Sequence, residues 1–141
     1  IENLLLIYSN QTEIQVKKEI SVESFGVDTL IPIGLLVNEV ITNSMKYAFK
    51  GCDRGTIFIG MKHLDNKRCE LTISDDGVGV DTEKLKSLKD SLGMELIETF
   101  VNQLDGSVEM SVENGTQYHI VFYPIDRDQK ESSKHPPVPA V

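Results

Sequence analysis

The sequence predicts an α+β fold, a two-layer sandwich whose mixed sheet of about five strands is covered on one face by about three helices. Three observations predict it. Residues 32–49 and 92–104 carry apolar side chains at helical spacing, and several shorter segments alternate between apolar and polar residues. Asn114-Gly115 separates two of the alternating segments, which is typical of a β-hairpin. The 141 residues, 40% of them apolar, suffice for one domain with its own core.

The first long helix, residues 32–49, has Asp28 as a candidate cap and Pro32 in its first turn. Its apolar stripe faces a core, whereas its polar face combines a carboxylate, an amide and a cation within about two turns. This polar face is formed by Glu39, Thr42, Asn43, Lys46 and Tyr47. Such a set suits a magnesium-bound polyphosphate, because Mg²⁺ prefers oxygen ligands and polyphosphate attracts cations. The alternative is an ordinary solvated helix face.

The other predicted elements are shorter. A second long helix covers residues 92–104, and a short helix covers residues 82–88 with Asp81 as its cap. Residues 1–10 fit either the end of a helix or a short edge strand. Strands are predicted at residues 13–20, 56–64, 69–74, 107–113 and 116–125.

Composition excludes several classes of function. The net charge of −8 and the lack of a basic patch argue against a nucleic-acid partner. No apolar run has the length of a membrane span and no signal peptide is visible, so we expect a cytoplasmic domain without direct membrane contact. Two reduced cysteines fit that compartment. The less favoured alternative is a zinc site using Cys52, His63 and Cys69.

An Asp-x-Gly-x-Gly pattern leaves the strand that ends near Ser74. At this position the Asp75 carboxylate can accept a hydrogen bond from an exocyclic amine, such as N6 of adenine. Gly77 and Gly79 would let the backbone approach a flat ring closely. Taken alone, the pattern also fits a plain loop between strands.

Two further motifs follow along the chain. Ser91-Leu92-Gly93-Met94 opens the second long helix, and free N–H groups at such an end bind phosphate. The alternative there is Asp90 or Ser91 as a simple helix cap. Gly115-Thr116 begins the last strand, where the threonine is either ordinary strand filling or a hydroxyl aimed at a ligand.

Together and in this order, these motifs resemble the ATP-binding fold shared by sensor histidine kinases, DNA gyrase and the MutL mismatch-repair proteins, known as the GHKL or Bergerat fold. Residues 32–49 are similar to the N box of histidine kinases, in the subfamily with a short lid. Ser-Leu-Gly-Met-Glu-Leu-Ile followed by Gln103-Leu104-Asp105-Gly106 strengthens that resemblance. It covers about residues 13–125.

The resemblance implies roles for the polar face of the first helix. Asn43 matches the asparagine whose side-chain oxygen ligates Mg²⁺. Glu39 lies where this superfamily often has a general base, and in a kinase it would polarise the accepting imidazole. Lys46 would offset phosphate charge, and Tyr47 would line the nucleotide pocket.

The resemblance also implies roles for the glycine-rich motifs. Asp75 matches the adenine-binding aspartate, Gly77 and Gly79 shape its loop, and Val80 would lie against the base. Thr116 would lie beside Asp75 and the adenine. The residues expected near the phosphates are Leu92, Gly93 and Met94.

The chain departs from the family pattern between these motifs. Residues 81–90 form a short lid without phenylalanine, and Ser91 stands where many relatives have glycine. Three lysines of the lid add positive charge, either for phosphates or as a solvated surface. None of the three histidines fits a phosphoacceptor helix. The lysines are Lys84, Lys86 and Lys89, and the histidines are His63, His119 and His135.

The resemblance therefore implies the catalytic domain of a sensor histidine kinase, with ATP and Mg²⁺ as cofactors. We expect residues 1–12 to end a linker from an upstream histidine-bearing dimerisation domain, residues 13–125 to form the ATP-binding domain, and residues 126–141 to be a disordered tail. The expected partners are that domain and a response regulator, within a homodimer. The alternatives are an anti-sigma-factor-type serine kinase, a nucleotide-gated interaction module that hydrolyses ATP, and a degenerate binding-only domain.

Overall fold

The computed structural model describes residues 5–9, 12–22, 24–78 and 81–125. The strands are β1 (Leu5–Ser9), β2 (Thr12–Ile20), β3 (Arg54–His63), β4 (Cys69–Asp75), β5 (Ser107–Val112) and β6 (Thr116–Phe122). The α-helices are α1 (Val27–Asn43), α2 (Thr82–Lys89) and α3 (Leu92–Gln103), and a π-helical turn, Ser44–Ala48, continues α1. No helix in these described ranges is long and apolar enough to cross a membrane.

The strands form one mixed sheet in the order β1-β2-β3-β4-β6-β5. Only β2 and β3 pair in parallel among the described strands, because α1 carries the chain from one to the other. β1 pairs antiparallel with β2, so residues 5–9 form an edge strand. This was one of the two alternatives that the sequence left open, the other being the end of a helix. The sheet thus begins before residue 13, whereas the linker assignment for residues 1–12 stays a prediction.

The core lies between the helices and one face of the sheet. Alternate residues of β2, β3, β4 and β6 are buried, as expected for a sheet with one covered face. The register keeps them together, with Ile57 opposite Asp75 and Ile73 opposite Tyr118. Leu36 and Val40 of α1 and Ile97 of α3 belong to the same core. The predicted α+β sandwich is confirmed.

The start of α1 differs from the prediction. The helix begins at Val27 after Gly26, which provides no side-chain cap, and Asp28 lies within the first turn. Pro32 is therefore inside the helix rather than at its start, and it is buried. Its missing N–H removes one helical hydrogen bond, and burial of its ring in the core offsets that cost. Asp28 interacts favourably with the positive end of the helix dipole.

The end of the first helix is also irregular. Residues Ser44–Ala48 adopt π-helical geometry, which apolar spacing alone did not indicate. The wider turn brings Ser44 to the end of β4, where its hydroxyl meets Asp75. It also places the Ala48 carbonyl 2.9 Å from the Val78 amide nitrogen, which donates to it. Two links thus tie the helix end to the loop after β4.

The predicted hairpin joins β5 and β6, although its loop has three residues instead of two. Val112 pairs with Thr116, and Asn114 and Gly115 between them have φ angles of 53° and 121°. A side chain at Gly115 would also overlap the carbonyl of Asp75. The glycine is therefore required both by its backbone conformation and by the close packing of the hairpin on β4.

Candidate functional site

The Asp75 carboxylate lies at the end of β4 and is held by three donors. Its Oδ1 accepts hydrogen bonds from the amides of Gly77 and Thr116, each at 3.1 Å, and its Oδ2 accepts one from the Ser44 hydroxyl at 2.9 Å. The residue is only 8% exposed. A carboxylate has about four acceptor positions, so one more donor can still be bound. The arrangement fixes a buried acceptor in one orientation.

A small cavity opens beside Asp75. It brings together four residues that the sequence analysis singled out separately, namely Asn43, Tyr47, Asp75 and Thr116. Its volume is about 10 Å³, which is the space of roughly one water molecule. A purine ring therefore requires the lining to move. Leu88 is the lining residue contributed by α2, the predicted short lid.

The polar face of α1 meets the first turn of α3 next to this cavity. A Cβ atom added at Gly93 would lie 3.4 Å from Oε2 of Glu39 and 3.5 Å from both Nδ2 and Oδ1 of Asn43. Carboxylate, amide and helix N-terminus are thus adjacent, with no side chain at residue 93 between them. This chemistry fits a cation with phosphate oxygens, because the amide oxygen ligates the cation and the N–H groups attract the anion.

The Ser91 side chain caps α3. Its hydroxyl accepts a hydrogen bond from the Met94 amide at 3.2 Å and donates one to the Leu88 carbonyl at 2.6 Å. Met94 therefore uses its amide inside the cap, and its side chain packs in the core. Leu92 is 71% exposed at the start of the helix. The serine that departs from the family pattern links α3 to the end of α2.

The structure places the remaining predicted residues as follows. Gly77 packs against Ala48 so closely that a side chain there would overlap the Ala48 carbonyl. Lys46 does not line the cavity beside Asp75, but a separate open groove with Thr42 and Lys50. Gly79 and Val80, for which the sequence analysis predicted roles, lie outside the described residues.

Four residues that line the cavity were not predicted as site residues: Ser44, Ala48, Leu88 and Tyr118. Tyr118 was within reach of the sequence, because it lies two residues after Thr116 in the same strand and so shares its face. Leu88 lay in the segment predicted as the lid. The contact of Ser44 with Asp75 depends on the π-helical turn, for which the sequence contained no signal that we recognised.

Two polar atoms of the cavity lining are buried without a hydrogen-bond partner among the described residues, namely Nδ2 of Asn43 and the hydroxyl of Tyr118. Burial raises the pKa of the Tyr118 phenol. The neighbouring Asn43 amide lowers that pKa, and the Asp75 charge raises it. The phenol and the amide are thus close, although they do not meet in hydrogen-bond geometry.

The described residues contain no group of three or more His, Cys, Asp or Glu side chains arranged to hold a metal ion. For the zinc alternative, Cys69 Sγ lies 3.5 Å from Nδ1 of His63, but Cys52 does not join them. A divalent cation at Asn43 would therefore take most of its ligands from nucleotide oxygens and water, as Mg²⁺ commonly does. The amide oxygen of Asn43, beside the open position at Gly93, fits that role.

Sequence comparison relates the chain to protein kinases of two kinds. It is 28% identical over 106 residues to blue-light-activated histidine kinase 2 of Erythrobacter litoralis, covering 75% of this chain but 30% of that protein. It is 27% identical over 124 residues to the serine-protein kinase RsbW of Listeria innocua, covering 78% of this chain and 76% of that protein. The chain thus spans less than a third of the first relative and about three quarters of the second.

Solved structures show the same fold. The histidine kinase domain of the Erythrobacter litoralis EL346 blue-light-activated kinase superimposes with a TM-score of 0.71 at 24% identity, covering 84% of this chain and 54% of that one. The Acinetobacter baumannii histidine kinase AdeS gives a TM-score of 0.66 at 18% identity, covering 83% of this chain and 57% of the other. The model of one family, described as histidine kinase-, DNA gyrase B- and HSP90-like ATPase, matches residues 29–127. The chain belongs to this ATPase family.

Proposed function

We propose that the chain binds Mg-ATP and transfers the γ-phosphoryl group to a histidine on a separate dimerisation domain, from which a response-regulator aspartate receives it. The observation that carries the proposal is the Asp75 carboxylate, held by three donors beside a cavity that also includes Asn43 and Thr116. Membership in the ATPase family supports the nucleotide.

At the adenine end, Asp75 would accept a hydrogen bond from N6 of the base. Guanine has a carbonyl oxygen at the equivalent ring position, so a fixed carboxylate would repel it. The backbone links from Gly77 and Thr116 orient this acceptor before the nucleotide arrives. Because the base is read by one buried acceptor, selectivity for ATP over GTP follows.

At the phosphate end, Asn43 would ligate Mg²⁺ through Oδ1, and the N–H groups of the first turn of α3 would face phosphate oxygens. When bound, Mg²⁺ supplies neutralisation of the charge on the phosphates. Glu39, beside Gly93, would orient and polarise the accepting side chain. These residues contribute positioning and charge, which is most of what catalysis of phosphoryl transfer requires.

Magnesium dependence tests the phosphate end. We expect Asn43→Ala to abolish the Mg²⁺-dependent gain in ATP affinity while the protein stays folded, measured by calorimetry with and without Mg²⁺ and by circular dichroism. Asn38→Ala is the matched control, since Asn38 is exposed one turn and one residue earlier on α1. An unchanged response to Mg²⁺ in folded Asn43→Ala would overturn the metal assignment.

A serine is the second candidate for the residue that accepts the phosphoryl group. The relation to RsbW extends over 78% of this chain, and that protein is a serine kinase. The two acceptors differ chemically, because phosphohistidine is labile in acid and stable in alkali, whereas phosphoserine behaves in the opposite way. A chain that includes the proposed histidine-bearing dimerisation domain, labelled with radioactive ATP, should lose its label in acid. Label that survives acid but not alkali would favour the serine kinase.

A further inference from the structure

Two polar atoms of the site have no hydrogen-bond partner within the described ranges, and both belong to one cavity. Asn43 is the last residue of α1, and Tyr118 lies on the covered face of β6. Nδ2 of Asn43 and the hydroxyl of Tyr118 are both buried, and the two residues line the space beside Asp75. Buried polar groups in native proteins nearly always have a partner, so two such groups on one small cavity call for an explanation. An amide N–H and a phenolic oxygen are complementary as donor and acceptor.

Little space remains in the cavity that the side chains of Asn43 and Tyr118 line. The cavity holds about 10 Å³, at the lower limit for a single water molecule. The Asn43 amide also lies close to the first turn of α3, where a Cβ added at Gly93 would lie 3.5 Å from its Nδ2 and from its Oδ1. The amide is thus near both the phenol of β6 and the helix turn that is proposed to face the phosphates.

We propose that Tyr118 is a positioning residue for Asn43, with its phenolic oxygen accepting a hydrogen bond from Nδ2 so that Oδ1 is left free for Mg²⁺. The inference rests on the proposed function, because it concerns the orientation of the proposed metal ligand. An asparagine amide can turn by half a rotation, and only one orientation offers oxygen to a cation. A partner that binds the nitrogen end therefore selects the ligating orientation, as residues behind metal ligands commonly do.

The opposite arrangement makes a different prediction. If the phenol donated its proton to Oδ1, it would occupy the ligating atom and turn the amino group of Asn43 toward the cation. Removing the hydroxyl would then strengthen the response to Mg²⁺ instead of weakening it. The sign of the effect thus distinguishes the two arrangements.

The test is Tyr118→Phe in the whole chain, which removes the hydroxyl and keeps the ring in the core. We expect the Mg²⁺ concentration for half-maximal ATP binding to rise about tenfold, while ATP affinity without Mg²⁺ stays within about twofold. Tyr123→Phe is the matched control, since Tyr123 is 43% exposed just beyond β6. In an Asn43→Ala background, Tyr118→Phe should have no further effect. An unchanged or stronger Mg²⁺ response in folded Tyr118→Phe would overturn the proposal.

A second readout needs no nucleotide. The side-chain amide signals of Asn43 in a ¹⁵N-labelled protein should shift in Tyr118→Phe and stay in place in Tyr123→Phe. Unchanged signals would overturn the proposed hydrogen bond between Asn43 and Tyr118, but not the proposed function. If the signals shift but the wild-type protein does not bind Mg-ATP, the pairing stands and both the proposed function and the metal role are wrong.

Discussion

At the residue scale, two adjacent carboxylates with the same chemistry have different environments. Asp75 is 8% exposed and accepts hydrogen bonds from Ser44, Gly77 and Thr116. Asp76 is exposed and accepts one from the Thr56 amide at 2.7 Å, which ties the end of β4 to β3. Alternation along the strand causes the difference, because it turns Asp75 toward the covered face of the sheet. The pair therefore provides a matched comparison of a proposed binding carboxylate with a structural one.

Tyr118 predicts a dependence of stability on pH. Because burial raises the pKa of its phenol, the native state keeps the proton above about pH 10, where the unfolded chain loses it. The native state then binds more protons, so the free energy of unfolding falls as pH rises through this range. We expect Tyr118→Phe to show a shallower fall from about pH 9 upward in urea titrations.

The Cys69 thiol does not confuse this comparison. Burial raises the pKa of Cys69 as well, so it also reduces stability at high pH, but it does so in both proteins. Equal slopes for wild type and Tyr118→Phe would show that the phenol is not held neutral by the fold.

At the element scale, α2 is the part of the cavity lining that we expect to move if a nucleotide binds beside Asp75. Leu88 is 8% exposed and lines the cavity that is too small for a purine. The Ser91 hydroxyl holds the Leu88 carbonyl, so the end of α2 is fixed to the start of α3. In this arrangement α2 lies beside Asp75, at the proposed adenine end of the site, and a nucleotide bound there would compete with the side chain of Leu88 for space.

Truncating that side chain should favour binding. We expect Leu88→Ala to increase ATP affinity about three- to tenfold, because fewer molecules have the cavity closed. Leu85→Ala is the control on the same helix, since Leu85 is half-buried and does not line the cavity. Weaker binding by folded Leu88→Ala would mean that Leu88 holds the nucleotide instead of excluding it.

The β5–β6 hairpin supports the site from the other side. Gly115 has a φ angle of 121° and packs against the carbonyl of Asp75, so Gly115→Ala should lower the free energy of unfolding by roughly 2–4 kcal/mol. Gly34→Ala is the control, because a Cβ there meets nothing within 4 Å and alanine favours the helix by about 0.5–1 kcal/mol. Chemical denaturation measures both changes, and a neutral Gly115→Ala would contradict the close packing.

At the scale of the whole molecule, the sequence predicted the layers because apolar periodicity reports directly on burial. The core is formed by the apolar residues that alternate along β3, β4 and β6 and by those of the apolar stripe of α1. The helix start was predicted wrongly, since Pro32 is tolerated inside α1 once it is buried. The π-helical turn was missed because the bonds that accompany it are tertiary: Ser44 and Ala48 bond to residues of β4 and the loop after it.

The residues of the candidate site divide in the same way, into those that sequence motifs predict and those that depend on tertiary packing. Asn43, Asp75 and Thr116 carry recognisable motifs, and the topology brings them to one cavity because the end of β4 lies beside the start of β6. Ser44, Ala48 and Leu88 were not found, because their places in the lining depend on which face each presents after packing. Tyr118 was not found, although its spacing from Thr116 along β6 fixes the face on which it lies. Lys46 shows the converse, since its place on the predicted polar face did not bring it into the cavity.

The central claim is that Asp75 binds the adenine of ATP, and calorimetric titration of Asp75→Asn beside Asp76→Asn with Mg-ATP tests it most directly. We expect Asp75→Asn to weaken ATP binding at least about tenfold, because a charged acceptor for the exocyclic amine is lost. Asp76→Asn should stay within about threefold of the wild-type affinity, since an amide oxygen can still accept the hydrogen bond from Thr56. Equal affinities for folded Asp75→Asn and wild type, or equal losses in the two variants, would contradict the claim.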